Sequence, residues 1–298
     1  MADKVTAKDV AELRARTGAG MMDCKNALTE SAGDMNTAAD LLRKKGIAKA
    51  DKRADRAASE GQIVTWTSPD GTVGAMVELN CETDFVGRND EFIALAKQVM
   101  AQVAQDAAVD GLVAVGADGA YLGTKWFADD KQTVGEIVKA ASAKTGEKVE
   151  LRRIARFATA GVVGAYLHFN GKAGVIAEVM GGTGEQAAQL GRRVAEHVAA
   201  GVPAVAVAVD QSGVSAEFIA KEREIFIAQS IESGKPEAIA QKMVDGRIAK
   251  LLGEITLLGQ PWVRDDKQTI GDLVKATAKD AGQPLTVKRF VRFKMGES

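Results

Sequence analysis

Cysteine, histidine and proline are scarce in this sequence of 298 residues, and each shortage is informative. Cys24 and Cys81 have neither the paired spacing of a zinc site nor the density of a disulfide-linked secreted domain, so a reducing cytosol fits. His168 and His197 lie far apart, without acidic residues at ligand spacing, and we expect no metal. The 5 prolines, with 46% hydrophobic and 27% charged residues, indicate a folded, helix-rich protein.

Net charge and long apolar runs are also lacking. A formal net charge of -1 gives no long-range attraction to nucleic acid or to an anionic membrane. No run of about 20 apolar residues could span a bilayer, and the opening MADKVTAKDV has no apolar signal core. We therefore expect a soluble cytoplasmic protein whose partner is another protein or a small ligand.

Residues 1–48 predict a small bundle of three helices. Thr6 and Asp9 form a capping-box pattern at the start of the first helix. Apolar residues then recur on one face of each helix, and Gly46 is expected to end the third. Residues 49–60 are charged and alanine-rich, which favours a solvated linker over an RNA-binding segment, because acidic and basic residues alternate.

The rest of the chain contains an internal duplication. LGTKWFADDKQTVGEIVKAA, from Leu122, recurs as LGQPWVRDDKQTIGDLVKAT, from Leu258, at an offset of 136. SPDGTVGAMVEL recurs as HFNGKAGVIAEV at an offset of 100. Asp70-Gly71 and Asn170-Gly171 predict two-residue type I′ hairpins. The sequence thus predicts an α+β fold of two half-domains with small antiparallel sheets, 61–157 and 158–293, and a tail at 294–298.

The two offsets differ by 36 residues, which we place between Ala200 and Leu258. This region predicts two helices joined through Ser233-Gly234-Lys235-Pro236. We expect a projecting antiparallel coiled coil over about 212–256. The residues proposed for its apolar stripes are Phe218, Ile225 and Ile231 in one helix and Ile239, Met243 and Leu251 in the other.

Few patterns in the sequence suggest covalent chemistry, and no catalytic residue is predicted. Cys81 and His168 could in principle form a nucleophile and base, but a cysteine in a hairpin usually packs. The turn Gly181–Gly184 follows a strand and precedes a helix, as a phosphate-binding loop does. It lacks the Gly-Lys-Ser/Thr ending of a P-loop, so a glycine turn is favoured over a phosphorylated-ligand site.

The stretch NCETDFVGRNDEF places Phe85 where the chain turns from a strand into a helix. At an offset of 100, Asp84 corresponds to Gly184 and Phe85 corresponds to Glu185. A phenylalanine needed for the core would be expected in both copies. We therefore expect Phe85 to serve a contact outside the fold; the alternative is that it packs on a side of the sheet that differs between the copies.

The chain resembles bacterial elongation factor Ts over nearly its whole length. The resemblance rests on LRARTGAGMMDCKNAL, the TDFV tetrapeptide, the duplicated core, the helical insertion and GQPWV. Glu82, where glutamine is common, and Gly87-Arg88 are small departures that leave the Asp-Phe pair intact.

The resemblance implies a guanine nucleotide exchange factor that performs no covalent step and needs no cofactor. It would bind the GDP complex of elongation factor Tu, promote loss of GDP and Mg²⁺, and remain on the nucleotide-free partner until GTP enters. Thr83, Asp84, Phe85 and Val86 would displace the Mg²⁺.

The resemblance also implies further contacts with the partner. The N-terminal bundle would be of the ubiquitin-associated type and dock through Arg14, Met21 and Met22, although burial of one methionine is an alternative. His168 would contact a second domain of the partner, and the C-terminal tail would reinforce docking. The competing functions are a phosphorylated-ligand enzyme using Gly181–Gly184 and a structural adaptor that binds without releasing nucleotide.

Overall fold

The computed structural model describes residues 5–116, 119–233 and 237–297. Its N-terminal unit consists of three helices, α1 (Ala7–Thr17), α2 (Met21–Glu30) and α3 (Met35–Asp51). The predicted capping box is confirmed, because the hydroxyl of Thr6 accepts from the backbone of Asp9 while the Asp9 carboxylate accepts from the backbone of Thr6. Apolar side chains from all three helices, including Leu13, Leu28 and Leu42, form a separate small core.

The first half of the core combines one main sheet with helices on one face. Its elements are β1 (Glu60–Thr67), β2 (Val73–Cys81), α4 (Asp84–Gly87), α5 (Asp90–Gln105), β3 (Gly111–Ala114), β4 (Lys125–Trp126), β5 (Asp129–Thr133), α6 (Val134–Thr145) and β6 (Val149–Ala158). The sheet order is β1-β2-β6-β3, with antiparallel neighbours, and β4 pairs with β5. Helices α5 and α6 supply side chains to the core above it.

The second half repeats this plan with an insertion. Its elements are β7 (Val162–Leu167), β8 (Ala173–Met180), α7 (Glu185–Ala200), α8 (Ala216–Glu232), α9 (Glu237–Ile255), β9 (Pro261–Trp262), β10 (Asp265–Thr269), α10 (Ile270–Ala281) and β11 (Thr286–Lys294). The main sheet has the order β11-β8-β7, again antiparallel. The predicted sequence of hairpin, helix, second helix and closing strand is confirmed in both halves, as is the α+β class.

The hairpin loops differ from the prediction. Only the glycines, Gly71 at φ 72° and Gly171 at φ 68°, have positive φ, whereas a type I′ turn needs two such residues. Each loop instead spans four residues, with Ser68 N donating to Val73 O at 2.8 Å and His168 N to Ala173 O at 2.8 Å. The two-residue prediction is therefore wrong, although both loops share one geometry.

Helix α3 continues past Gly46, and the prediction that it ends there is wrong. A Cβ on Gly46 would lie 2.9 Å from the Cβ of Ala143, so this glycine allows α3 to pack closely against α6. Beyond Gly46, Asp51 pairs with Lys139 at 2.7 Å and Arg53 donates to Ser142 O at 3.1 Å. The segment assigned to a solvated linker thus begins within a helix and makes contacts with α6.

The sequence offset that relates the two halves changes after β2. The strands β2 and β8 correspond at an offset of 100, but the buried faces of α5 and α7 correspond at an offset of 95. The N-cap residues Asn89 and Gly184 correspond at this second offset too. Asp84 to Arg88 therefore have no counterpart, and the match of Phe85 with Glu185 is wrong because these five residues are inserted in the first half. The net insertion after α7 is accordingly 41 residues, the difference between 136 and 95.

The halves meet through reciprocal contacts. Ile63 N donates to Gly171 O at 2.8 Å, and its counterpart Val163 N donates to Gly71 O at 2.7 Å. A shared apolar cluster containing Phe157 and Phe293 fills the space between the sheets. Such reciprocity is what a two-fold axis produces between identical subunits, here within one chain.

Helices α8 and α9 pack against each other, but through other residues than predicted. The packed residues are Ile219, Phe226, Ile227, Val244, Ile248 and Leu252. Phe218, Ile225, Ile231 and Met243 are instead exposed, because α8 is apolar on more than one side and its stripe cannot be read from spacing alone. Residues 234–236 of the predicted connection, and the side chain of Ile239, lie outside the described residues.

Candidate partner-binding site

The segment 82–88, here called the tip, joins β2 to α5 and projects Phe85 into solvent. Thr83 is the N-cap of α4, and its hydroxyl accepts from Val86 N at 3.5 Å. The side chain of Phe85 is 84% exposed, whereas Val86 packs against the core of the first half. Asp84 pairs with Arg88 at 3.0 Å. The alternative that Phe85 packs against the sheet is therefore wrong.

A carboxylate from the turn after α6 holds the entrance of the tip. Glu147 Oε2 accepts from Glu82 N at 3.1 Å and from Thr83 N at 3.0 Å, while its Oε1 accepts from the Thr83 hydroxyl at 2.6 Å. In return, Lys148 N donates to Glu82 Oε1 at 2.6 Å. No local sequence pattern identifies Glu147, because it lies 64 positions from Thr83.

The exit of the tip is held by β1. Gln62 Nε2 donates to Gly87 O at 2.8 Å. A Cβ on Gly87 would lie 3.2 Å from the backbone of Gly61, a tighter contact than usual, so glycine favours the close approach of the two segments. The tip is thus fixed at both ends while Phe85 remains uncovered.

The electrostatics around Glu82 reinforce the entrance. The hydrogen bond from Lys148 N, with a further one from Arg56, holds the pKa of the Glu82 carboxyl below its usual value, against a smaller opposing effect of burial. Glu82 is thus ionised at neutral pH and anchors both the turn after α6 and the segment that follows α3.

The second hairpin loop, residues 168–172, lies beside the tip. The side chain of Gln62, which holds the tip, also packs against Gly171, and Lys172 Nζ reaches Gly61 O at 3.1 Å. His168 Nδ1 lies 3.1 Å from the Tyr166 hydroxyl. Phe169 is 92% exposed and its ring centroid lies 4.5 Å from that of His168. His168 is among the predicted contact residues and Phe169 is not, although an aromatic residue within a hairpin loop is a visible signal in the sequence.

The N-terminal unit presents a second apolar surface. Met21 and Met22, at the start of α2, are 57% and 65% exposed, and Arg14 on α1 is also exposed. The alternative that one methionine is buried is wrong, because Cys24, Ala27 and Leu28 fill the core from α2. Helix α6 links the N-terminal unit to the tip, because it packs on α3 and leads into Glu147.

The side chain of Cys81 is engaged in packing. Cys81 is buried, its thiol lies 3.1 Å from Thr83 O, and burial together with the nearby charge of Glu147 raises its pKa to about 12. Such a thiol stays protonated at neutral pH and is a poor nucleophile. Within residues 5–116, 119–233 and 237–297, no group of three or more His, Cys, Asp or Glu side chains could hold a metal ion.

Close packing and positive φ values explain the glycines of Gly181–Gly184. A Cβ on Gly181, at φ 90°, would lie 2.0 Å from Pro284 O. Gly184, at φ 95°, is the N-cap of α7, and the first turn of that helix carries Glu185. A carboxylate at this end of the helix repels an anion, which disfavours a phosphate site.

Comparison with known proteins is consistent with these features. The family model Elongation factor TS matches residues 82–297. Elongation factor Ts of Halorhodospira halophila is 47% identical over 296 residues, covering 98% of this chain and 92% of that protein. The chain belongs to the elongation factor Ts family. Elongation factor Ts of Methylococcus capsulatus, 44% identical, and of a Nostoc strain, 42% identical, cover 98% and 99% of this chain and 92% and 93% of their own lengths.

The family relationship covers both halves and the N-terminal unit. The elongation factor Ts model begins at Glu82, the first residue of the tip, and the curated relatives extend the match across nearly the whole chain. None of these relatives supports a phosphorylated-ligand enzyme, since all bear the name of a translation elongation factor. In the described part of the chain, every helix is too short or too polar to cross a membrane.

Proposed function

We propose that this chain catalyses guanine nucleotide exchange on elongation factor Tu, binding its GDP complex and its nucleotide-free form. The observation that carries the proposal is Phe85, an aromatic side chain 84% exposed on a tip that is hydrogen-bonded at both ends. An apolar ring in this position is stabilised when a partner covers it. Family membership identifies a partner in translation elongation.

Exchange requires differential affinity and no covalent step. A factor that binds the open, nucleotide-free partner more tightly than the GDP complex lowers the affinity for GDP by the same ratio. Burial of a phenylalanine stabilises a complex by roughly 1.5–3 kcal/mol. A pocket that exists only in the open state converts that free energy into faster GDP release.

The tip residues have distinct proposed roles in displacing Mg²⁺ from the partner. Phe85 wedges between helices of the GTPase domain, Asp84 fixes the displaced backbone, and Thr83 and Val86 seat the tip on the core. Moving the helix that supports the Mg²⁺ shell removes the largest positive charge opposing the phosphates. GTP entry then returns the partner to its closed state and releases the factor.

The remaining contacts are proposed from the same resemblance. The unit 1–48 is of the ubiquitin-associated type and docks through Arg14, Met21 and Met22. His168 contacts a second domain of the partner, and the tail 294–298 reinforces docking. The proposed division of the rest of the chain is a connecting segment at 49–60 and half-domains at 61–157 and 158–293. The second half-domain contains an antiparallel coiled coil at about 212–256. The protein acts in the cytoplasm without a cofactor.

Release of a fluorescent GDP analogue from elongation factor Tu tests this function. The chain at catalytic concentration is expected to accelerate release, and excess unlabelled GDP prevents rebinding. A structural adaptor would bind the partner, detected by a shift in sedimentation, and leave the release rate unchanged. That outcome would refute exchange while retaining the partner.

A further inference from the structure

We propose that Glu147 is a positioning residue for exchange, which fixes the direction in which Phe85 leaves the tip. This proposal rests on the proposed function. Glu147 lies at the junction of α6 and β6 and is not expected to touch the partner through its carboxylate, since both oxygens are engaged with Glu82 and Thr83.

The tip needs such an anchor because it is too short to define itself. Helix α4 has 4 residues, and an isolated helix of this length is unstable in water. Glu147 accepts three hydrogen bonds, two from backbone N–H groups at the helix entrance and one from the N-cap hydroxyl. Bonds to an ionised acceptor are stronger than neutral ones, so this carboxylate sets the path of the chain just before Phe85.

The second half of the chain provides an internal comparison. The position that corresponds to Glu147, at an offset of 136, is Gln283, and its side chain lies against Gly182, the counterpart of Glu82. The second half has no inserted helix here, and α7 starts directly after Gly184. A carboxylate thus occurs in the half that carries a tip, and a neutral amide occurs in the half that does not.

Glu147 also relates the tip to the N-terminal unit. The Ser142 hydroxyl donates to Glu147 O at 2.5 Å, and the carbonyl of Ser142 accepts from Arg53 at 3.1 Å. A continuous path of hydrogen bonds therefore runs from the end of α3 through α6 to Thr83. The carboxylate of Glu147 therefore orients Phe85 and also fixes the position of Phe85 relative to the unit that bears Met21 and Met22.

Glu147→Gln tests the proposal, with Glu150→Gln as the matched control. Glu150 lies on β6 and pairs with Lys148 at 2.9 Å, outside the bonds to the tip. Amide hydrogen exchange in the free protein measures the protection of Glu82 and Thr83. In Glu147→Gln we expect that protection and the rate of stimulated GDP release each to fall at least about tenfold, as loss of a charged hydrogen bond implies. Glu150→Gln should change neither.

Thr83→Val is a second variant, which removes one of the three bonds to Glu147, together with the long N-cap bond from Val86 N, and keeps the shape of the side chain. We expect a smaller loss in the same direction. A double variant, Glu147→Gln with Phe85→Ala, should release GDP no more slowly than Phe85→Ala alone, because a positioning residue has nothing left to position.

The possible failures are distinguishable. Unchanged amide protection in Glu147→Gln, or lost protection with an unchanged release rate, overturns the positioning role while wild type still accelerates release. Additive losses in the double variant also overturn it. If wild type itself does not accelerate release, the exchange function fails, and the positioning role for exchange fails with it. Amide protection would still report whether the carboxylate holds the tip.

Discussion

Gln102 and His197 occupy the same position in the two halves of the chain and accept equivalent hydrogen bonds. Gln102 Oε1 accepts from Phe127 N at 3.1 Å, and His197 Nδ1 accepts from Val263 N at 3.2 Å. Phe127 and Val263 correspond at the offset of 136. Both side chains are buried. A histidine therefore performs in one half the structural task that a glutamine performs in the other.

This substitution predicts a pH dependence of stability. Burial lowers the pKa of His197 below its usual value, only partly offset by the hydrogen bond with Gln260. The unfolded chain therefore binds a proton at a higher pH than the folded chain, and stability falls as pH drops below about 6.5 toward the folded pKa. His197→Gln should reduce the pH dependence of the free energy of unfolding, measured in urea, between pH 5 and 7. An unchanged pH dependence would show that His197 does not contribute to it.

Phe85→Ala should leave the folded protein almost as stable as wild type. The ring is exposed in the free protein, and surface substitutions change stability by about 0.5 kcal/mol or less. Phe92→Ala is the matched control, because Phe92 is buried against the core of the first half and its loss should cost about 3–5 kcal/mol. Chemical denaturation measures both. Equal losses would mean that Phe85 is part of the core.

Arg289→Ala should destabilise the contact between the halves far more than Lys288→Ala. Both cations contact the buried carboxylate of Glu178, at 2.5 Å and 3.2 Å. Arg289 also stacks on Phe157 of the other half, 4.2 Å from the ring centroid. We expect a loss of about 3 kcal/mol for Arg289→Ala and less than about 1 kcal/mol for the half-exposed lysine. Similar urea-unfolding midpoints for the two variants would contradict the predicted difference between them.

Cys81 should resist alkylation in the native protein. Its thiol is buried and its pKa is raised to about 12, so almost no thiolate is present at pH 8. Iodoacetamide labelling followed by mass spectrometry should modify Cys81 in denaturant and spare it under native conditions. Rapid native labelling would restore the interpretation of Cys81 as a nucleophile.

The sequence predicted those parts of the fold that depend on local patterns. The capping box at Thr6, the succession of hairpin, helix, second helix and closing strand in each half and the exposure of Phe85 are all confirmed. The end of α3 was misplaced because a glycine that permits close packing resembles a glycine that ends a helix. At Gly46 the deciding contact is with Ala143, nearly 100 positions away along the chain.

Only part of the site could be predicted, because sequence patterns show local features and not long-range contacts. TDFV was found because its residues are contiguous, whereas Glu147 and Gln62 reach the tip only through the folded sheet. The internal alignment failed between β2 and α5, since five inserted residues shift the helical register without disturbing its apolar content. The register is fixed only when the buried faces of α5 and α7 are compared.

The most direct test of exchange measures GDP release from elongation factor Tu with wild type and Phe85→Ala under identical conditions. Loss of a wedge stabilised by roughly 1.5–3 kcal/mol predicts stimulated release about 10 to 100 times slower in the variant. Its unfolding midpoint should match that of wild type. Equal stimulation by the two proteins would contradict the proposal that Phe85 opens the nucleotide site.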